Sequence, residues 1–284
     1  MEKENILWTT IISPKSKFLN LNIKELLKYR DLVFLFVKRD FVIQYKQTIL
    51  GPLWYIIQPL ISTLLFTFVF GNLAKLSTDN IPYVLFYYSG TMAWSFFEKI
   101  FKDASDTFVV NADLFNKVYF PRLTVPISKV FINFLSFLIQ LLFLVLLYLY
   151  YVLYLNQQIK PSIFIIFLPL LLIWLCALAL GLGLIITSIT TKYRDLKQLI
   201  SFGINLWMYA TPIVYPLSQV PFQYKYLYYI NPVSAPIELF RVLLFQKGFV
   251  PFNMIITSIT FSILSLFIGL LIFNHNERNF IDLV

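Results

Sequence analysis

The groups able to do chemistry in this 284-residue chain are few and scattered. Cys176 is the single cysteine and His275 the single histidine. One thiol leaves no internal disulfide and no multi-cysteine metal site, and one imidazole argues against a His-based metal or proton-relay centre. Cys176 lies in an apolar run and reads as a small buried hydrophobe. Asp79 and Glu238 are the acids outside the segments assigned below to one basic side, and they are too far apart in sequence to make a persuasive acid–base pair. There is no Gly-x-x-x-x-Gly-Lys-Ser/Thr loop, so the chain does not hydrolyse ATP by itself. Gly181-Leu182-Gly183 has neither a strand before it nor a ribose-binding acid after it, so it is no nucleotide signature. No catalytic, cofactor-binding or metal-ligating residue is assigned.

What the chain offers instead is aromatic surface, with 30 Phe, 18 Tyr and 5 Trp. Ring faces stack on the apolar faces of sugars while hydroxyls take hydrogen bonds, a combination that lets a long polymer slide. Tyr87, Tyr88, Trp94, Trp207 and Tyr209 are the candidate members of such a path. Helix packing and interfacial belts use the same residue types. Trp54 and Tyr55 fit a belt better than a path.

These residues are positioned by helices in a membrane. The chain is 59% apolar and 13% charged, where a soluble domain carries about 25% charge. Apolar runs of about 20 residues recur, which predicts a polytopic all-α membrane protein. No alternating ten-residue pattern supports a β-barrel. Six spans are predicted, near 53–73, 82–101, 125–155, 162–190, 199–215 and 252–273. Their middles carry no Asp, Glu, Lys or Arg, which argues against an ion-coupled carrier. Ala177 with Gly181, and Ala179 with Gly183, are small-residue pairs that allow close helix packing.

The first fifty residues are polar and basic, with no signal-peptide pattern. Residues 1–22 read as a tail containing Trp8. Residues 23–46 read as a basic amphipathic helix on the membrane surface, with Lys28, Arg30, Lys38 and Arg39 towards anionic lipid. Gly51-Pro52 breaks it. Residues 216–250 are aromatic yet broken by prolines. They predict two short re-entrant helices, near 218–228 and 234–247, dipping into the outer leaflet. Placing residues 1–50, 98–129, 191–197 and the C-terminal tail in the cytoplasm puts 18 of 23 Lys and Arg there, as the positive-inside tendency requires.

Between the second and third spans lies a polar elbow, residues 98–122. Glu98 with Lys102, Lys99 with Asp103 and Lys102 with Asp106 pair opposite charges at four-residue spacing, predicting a water-exposed helix end. Asn111 can cap a short helix, with Asp113 in its first turn, Lys117 near its end and Pro121 stopping it. Leu114, Phe115 and Val118 share its apolar side. Two readings stay open on local physics: an ordinary loop with a helical turn, or a seat for a push from a soluble partner.

The ordered motifs carry a resemblance. RDFVIQYK (39–46) is followed by LGPLW (50–54) and Gln58-Pro59. Then come Asn111, Leu114, Lys117 and Phe120-Pro121-Arg122, then Arg194-Asp195-Leu196, PIVYP (212–216) and Asn231-Pro232. The sequence resembles the membrane subunit of type-2 ABC transporters, in the branch that exports O-antigen, capsular polysaccharide and teichoic acid. The resemblance covers nearly the whole chain. It implies two domain-like parts: a cytoplasmic tail and interface helix (1–50, with Lys38, Arg39, Gln44, Tyr45 and Lys46), and a six-span transmembrane domain (51–284). Within the second part it implies a coupling helix at 111–120, with Asn111, Asp113, Leu114, Phe115, Lys117, Val118, Tyr119 and Arg122 facing an ATPase. It also implies an external gate at 212–247, with Pro212, Tyr215, Pro216, Asn231, Pro232, Glu238 and Arg241. Two copies would pair with two ATP-binding subunits, which would hold ATP and magnesium. A lipid-linked polysaccharide, O-antigen ahead of teichoic acid or capsule, would cross the bacterial inner membrane between the copies, with both termini cytoplasmic. A permease for a small lipid or drug shares the topology.

Overall fold

A computed structural model describes residues 23–46, 48–190 and 195–279. The tail with Trp8, residues 191–194 of the basic turn with Arg194, and residues 280–284 lie outside the described residues, as does the side chain of Tyr45. Every regular element among the described residues is a helix, in agreement with the all-α expectation.

The chain enters through α1 (Ile23–Lys28) and α2 (Arg30–Tyr45). Gly51 turns it with a positive φ of 47°, a conformation that costs a glycine nothing. Pro52 follows in a short 3-10 turn, Gly51–Leu53, that leads into the next helix, where a missing N–H is not needed. That helix, α3 (Trp54–Phe66), continues through a wider π turn over Thr67–Leu73. Next come α4 (Tyr83–Ser105), α5 (Thr107–Val110) and α6 (Ala112–Lys117), then α7 (Thr124–Leu153) and α8 (Leu168–Thr190). The remainder is α9 (Leu196–Tyr209), α10 (Phe222–Ile230), α11 (Ser234–Phe245) and α12 (Phe252–Asn279).

The expectation of six spans is corrected to four. Among the described residues, four helices are long and apolar enough to cross a membrane: Gly51–Leu73, Thr124–Leu153, Ile163–Thr190 and Phe252–Asn276. The other two candidates fail for different reasons. α4 has 23 residues, but Glu98, Lys99, Lys102 and Asp103 interrupt its second half. α9 has 14 residues and reaches about 21 Å, short of a hydrocarbon core of about 30 Å. The re-entrant helices are corrected as well. The two short helices exist as α10 and α11, but the described residues hold no clear re-entrant loop. α11 is instead a packed core element, with Ile237, Phe240 and Phe245 at most 1% exposed.

α8 is the hub of the bundle, because glycines let backbones touch there. A Cβ at Gly181 would lie 2.4 Å from the Leu266 nitrogen of α12, and one at Gly269 would lie 2.4 Å from the Gly181 oxygen. A Cβ at Gly183 would lie 2.5 Å from Ala104 Cβ on α4. The small-residue reading of 177–183 is thus realised on two faces: Gly181 towards α12 and Gly183 towards α4. α4 is wrapped by its neighbours, with residues 85–94 all buried. That burial explains its aromatic richness. The rings fill the core, as in the edge-to-face pairs Phe86–Tyr87 and Trp94–Trp207.

Candidate functional site

Three regions hold the candidate residues: the elbow, the apron around α2, and the far end of α4 with α9–α11. At the elbow, the expected helix over 111–120 is shorter, Ala112–Lys117, and Val118 is already extended. Asn111 makes no side-chain cap. Its Nδ2 instead donates back to the Thr107 carbonyl at 2.9 Å, tying α6 to α5. Phe115 is 7% exposed. It packs with Phe108 and Phe120 beneath α6, and the Arg122 guanidinium lies over its ring at 5.5 Å. Phe36 of α2 and Phe273 of α12 complete the same cluster. Leu114 is half-buried against it, while Asp113, Lys117, Val118 and Tyr119 face outward. Val118 and Tyr119 are 56% and 84% exposed. The elbow therefore has a glued inner face and an outward tip, and Phe115 belongs to the former.

The stretch 98–106 is not the water-exposed helix end expected of it. Ile100, Phe101, Ala104 and Ser105 are buried. Of the three predicted pairs, only Glu98–Lys102 is an ion pair. Asp103 accepts instead from Asn133 Nδ2 of α7 at 2.6 Å. Burial pushes the Asp103 carboxyl up, while the Asn133 hydrogen bond and Lys129 pull it down. Asp106 pairs with Lys197 of α9 at 2.8 Å. Lys99 sits over the Tyr55 ring at 5.0 Å. The charges found partners on other helices because neighbours cover α4, so i,i+4 pairing along one surface no longer decides.

The apron is tied into the same network. Asp40 takes Arg39 and, across to α7, Lys129, each at 2.8 Å. Arg39 also lies over the Phe36 ring at 4.7 Å. Gln44 Oε1 accepts from the Tyr55 hydroxyl of α3 at 2.8 Å. Lys38 and Lys46 point outward. α2 is thus pinned to α3 and α7 by Asp40 and Gln44, and it exposes Phe34, Leu35, Val42 and Ile43 alongside Lys38.

At the far end, Glu238 and Arg241 form a fully buried ion pair at 3.1 Å, each residue 1% exposed. Arg241 also donates to the carbonyls of Pro212 and Ile213, the latter at 2.6 Å. Its guanidinium lies over Phe86 at 3.8 Å. Gly90 makes room, since a Cβ there would lie 2.3 Å from Arg241 Nη2. Burial pushes the Glu238 carboxyl above its ordinary range, and Arg241 pulls against it. Asn231 fastens the start of α11 to the end of α9. Its Oδ1 accepts from Trp207 Nε1 and from the Val233 amide, and its Nδ2 donates to the Ala210 carbonyl, all at 3.1 Å. The Pro232 carbonyl accepts from Ser258 of α12. The Tyr215 hydroxyl meets that of Tyr228 and donates to the Tyr209 carbonyl at 3.1 Å. Pro212 and Pro216 bracket this loop. The sequence reading put all seven residues in one region; the structure adds that Arg241 gathers Glu238 and Pro212, while Asn231, Tyr215 and Pro232 make separate ties to α9, α10 and α12.

The aromatic candidates separate. Tyr87, Tyr88 and Trp94 are at most 2% exposed and pack within the chain's own core. The Tyr88 hydroxyl points at the Gln140 carbonyl, 3.4 Å away. Trp207 is half-buried against Trp94 and Phe97, and Tyr209 is exposed. Sequence reasoning missed a polar stripe beside Tyr209. Gln198, Ser201 and Asn205 are all exposed on α9. At about 100° per residue they share one face with Tyr209. The signal was available, as three polar residues at i, i+3 and i+7 in an apolar helix. Asn133, Ser136 and Gln140 of α7 repeat it, turned inward. Among the described residues no group of three or more His, Cys, Asp or Glu gathers, and no cofactor-binding residue is found.

Residues 31–245 match the ABC-2 type transporter family. The chain is 28% identical over 256 residues to the O-antigen export system permease protein RfbA of Klebsiella pneumoniae, covering 89% of this chain and 95% of that one. It is 25% identical to the RfbA protein of the same description from Myxococcus xanthus, over 70% of this chain and 73% of that one. It is 24% identical to the polysialic acid transport protein KpsM of Escherichia coli, over 81% of this chain and 87% of that one. The chain belongs to the ABC-2 type transporter family, as a multi-pass permease of the bacterial inner membrane, related to polysaccharide-export permeases, whose part is transport and not catalysis.

Proposed function

We propose that this chain is the membrane subunit of an ATP-driven exporter of a lipid-linked polysaccharide, O-antigen before any other. Two copies enclose the path, both termini lie in the cytoplasm, and two separate ATP-binding subunits supply ATP and magnesium. The observation that carries the reading is the end-to-end likeness to O-antigen permeases, at 28% identity over 89% of this chain. The likeness to polysialic acid transport proteins supports capsular polysaccharide as the second reading.

The geometry supports a division of labour. The elbow tip, Val118 and Tyr119, offers exposed apolar and aromatic surface to the ATPase, with Asp113 and Lys117 beside it. The buried Phe115 and Arg122 carry a push at the tip into α2, α7, α8 and α12 through the phenylalanine cluster. Gln198, Ser201, Asn205 and Tyr209 give α9 a wettable face suited to sugar hydroxyls, with Trp207 behind it. The Arg241 and Asn231 fastenings hold the 212–216 loop at the outer end, as a gate must be held.

The test is substitution at the elbow. Val118→Asp with Tyr119→Asp leaves the permease folded, abolishes co-purification of the ATPase and stops export of surface O-antigen. Phe115→Asp lowers the unfolding midpoint of the isolated permease, because it buries a charge. Intact co-purification and export in the Val118/Tyr119 double variant sinks the coupling assignment. Complementation of an O-antigen exporter deletion, set against a capsule exporter deletion, decides between the two cargoes.

A further inference from the structure

α2 and α7 do not close against each other along their whole crossing. Between them lies an open groove of about 440 Å³. Its walls are Phe34 and Phe41 of α2 and Leu135, Leu138 and Ile139 of α7, with Lys38 as the one charged residue on its lining. One end is narrowed by Phe34 against Phe131, with ring centroids 6.4 Å apart. Phe34, Leu135 and Leu138 are exposed on the surface of the protomer.

We propose that this groove is a binding site for one anionic phospholipid of the surrounding bilayer, with an acyl chain in the groove and the phosphate on Lys38. Depth fits. The Asp40–Lys129 ion pair marks where α7 still carries charge, and Leu138 lies nine residues further on, about 14 Å along the helix axis. The groove therefore starts at the headgroup boundary and runs into the hydrocarbon. Size fits. A methylene fills roughly the space of a water molecule, about 30 Å³, so the groove takes about one acyl chain and not the far longer carrier of an exported glycan. Charge fits. Lys38 is exposed, whereas its neighbour Arg39 is turned to Asp40. A lysine at this depth reaches the headgroup layer by extending its apolar stem along the groove wall. The site would fasten α2 to α7 on the lipid side, opposite the Asp40–Lys129 tie. The proposal needs the membrane setting of the chain and not the identity of its cargo.

Native mass spectrometry of the purified permease with its ATPase, with phosphatidylglycerol and phosphatidylethanolamine added in equal amounts, tests it. The wild type retains one phosphatidylglycerol in roughly fivefold preference, the order one lysine supplies near a charged headgroup. Lys38→Gln keeps a lipid but loses the preference, and Lys38→Arg keeps both. Leu138→Trp, at an exposed position where folding is undisturbed, fills the groove and loses the lipid. Unchanged preference in Lys38→Gln, or unchanged retention in Leu138→Trp, overturns the proposal. Displacement of the phospholipid by added polyprenyl phosphate also overturns it, by making the groove a cargo site. Export failure in the elbow variants leaves these outcomes untouched, so the two readings fail separately.

Discussion

Arg241 shows how much one residue can hold at this scale. Its guanidinium is taken out of water, which is costly, and the cost is met by Glu238, two carbonyls and the face of Phe86. Removing one partner leaves an uncompensated buried charge. Glu238→Ala is expected to cost about 3–5 kcal/mol, read as a fall in the unfolding midpoint in detergent. Arg241→Met paired with Glu238→Leu recovers part of that loss, but not all, because the Pro212 and Ile213 carbonyls then lose their donor. Gly90→Val has its effect through the same contact, by pushing the guanidinium out. A Glu238→Ala protein within about 0.5 kcal/mol of wild type, the range of a neutral surface change, contradicts a desolvated pair. The residues were visible in the sequence at i,i+3 spacing. Their partners were not, because Arg241 lies 29 residues from Pro212 and further still from Gly90.

At the scale of elements, helices differ in what their glycines do. Gly181 touches the α12 backbone, whereas a Cβ at Gly203 of α9 would meet nothing within 4 Å. Gly181→Ala must separate α8 from α12 and lowers stability, while Gly203→Ala raises it by about 0.5–1 kcal/mol through helix propensity alone. Thermal unfolding of the two variants side by side checks the contrast, and equal shifts would remove α8 from the centre of the bundle. The small-residue spacing at 177–183 was legible because close packing in a membrane demands it. The elbow was legible as a short helix, although it ends at Lys117 well before Pro121, and the side that faces inward was not legible. Leu114, Phe115 and Val118 look alike in sequence. Only the phenylalanine cluster beneath α6 separates the buried Phe115 from the exposed Val118.

For the whole molecule, α9 is the one among the described helices of more than ten residues that its own chain covers least, with Ile204 its one buried residue. In the proposed dimer its exposed face meets or faces the second copy. Asn205→Cys in a Cys176→Ser background is expected to give a cross-linked permease pair with a bis-maleimide in membranes, while Leu170→Cys, on the outer side of α8, stays monomeric. A monomeric band for both places α9 elsewhere. By itself the sequence determined the membrane setting, the all-α class, the approximate ends of the four crossing helices among the six it predicted, and the position of the elbow along the chain. Those properties follow from runs of apolar residues and from proline and glycine breaks, which act locally along the chain. Tertiary structure alone decided that α4 is a core helix whose charges are spoken for by α3, α7 and α9, and that α9 is too short to cross. It also decided that Tyr87, Tyr88 and Trp94 pack inside while Gln198, Ser201 and Asn205 face out. The physical reason is common to all of these. Hydropathy records a residue's preference for leaving water, but lipid and a neighbouring helix satisfy that preference equally, and only the packing of distant segments selects between them.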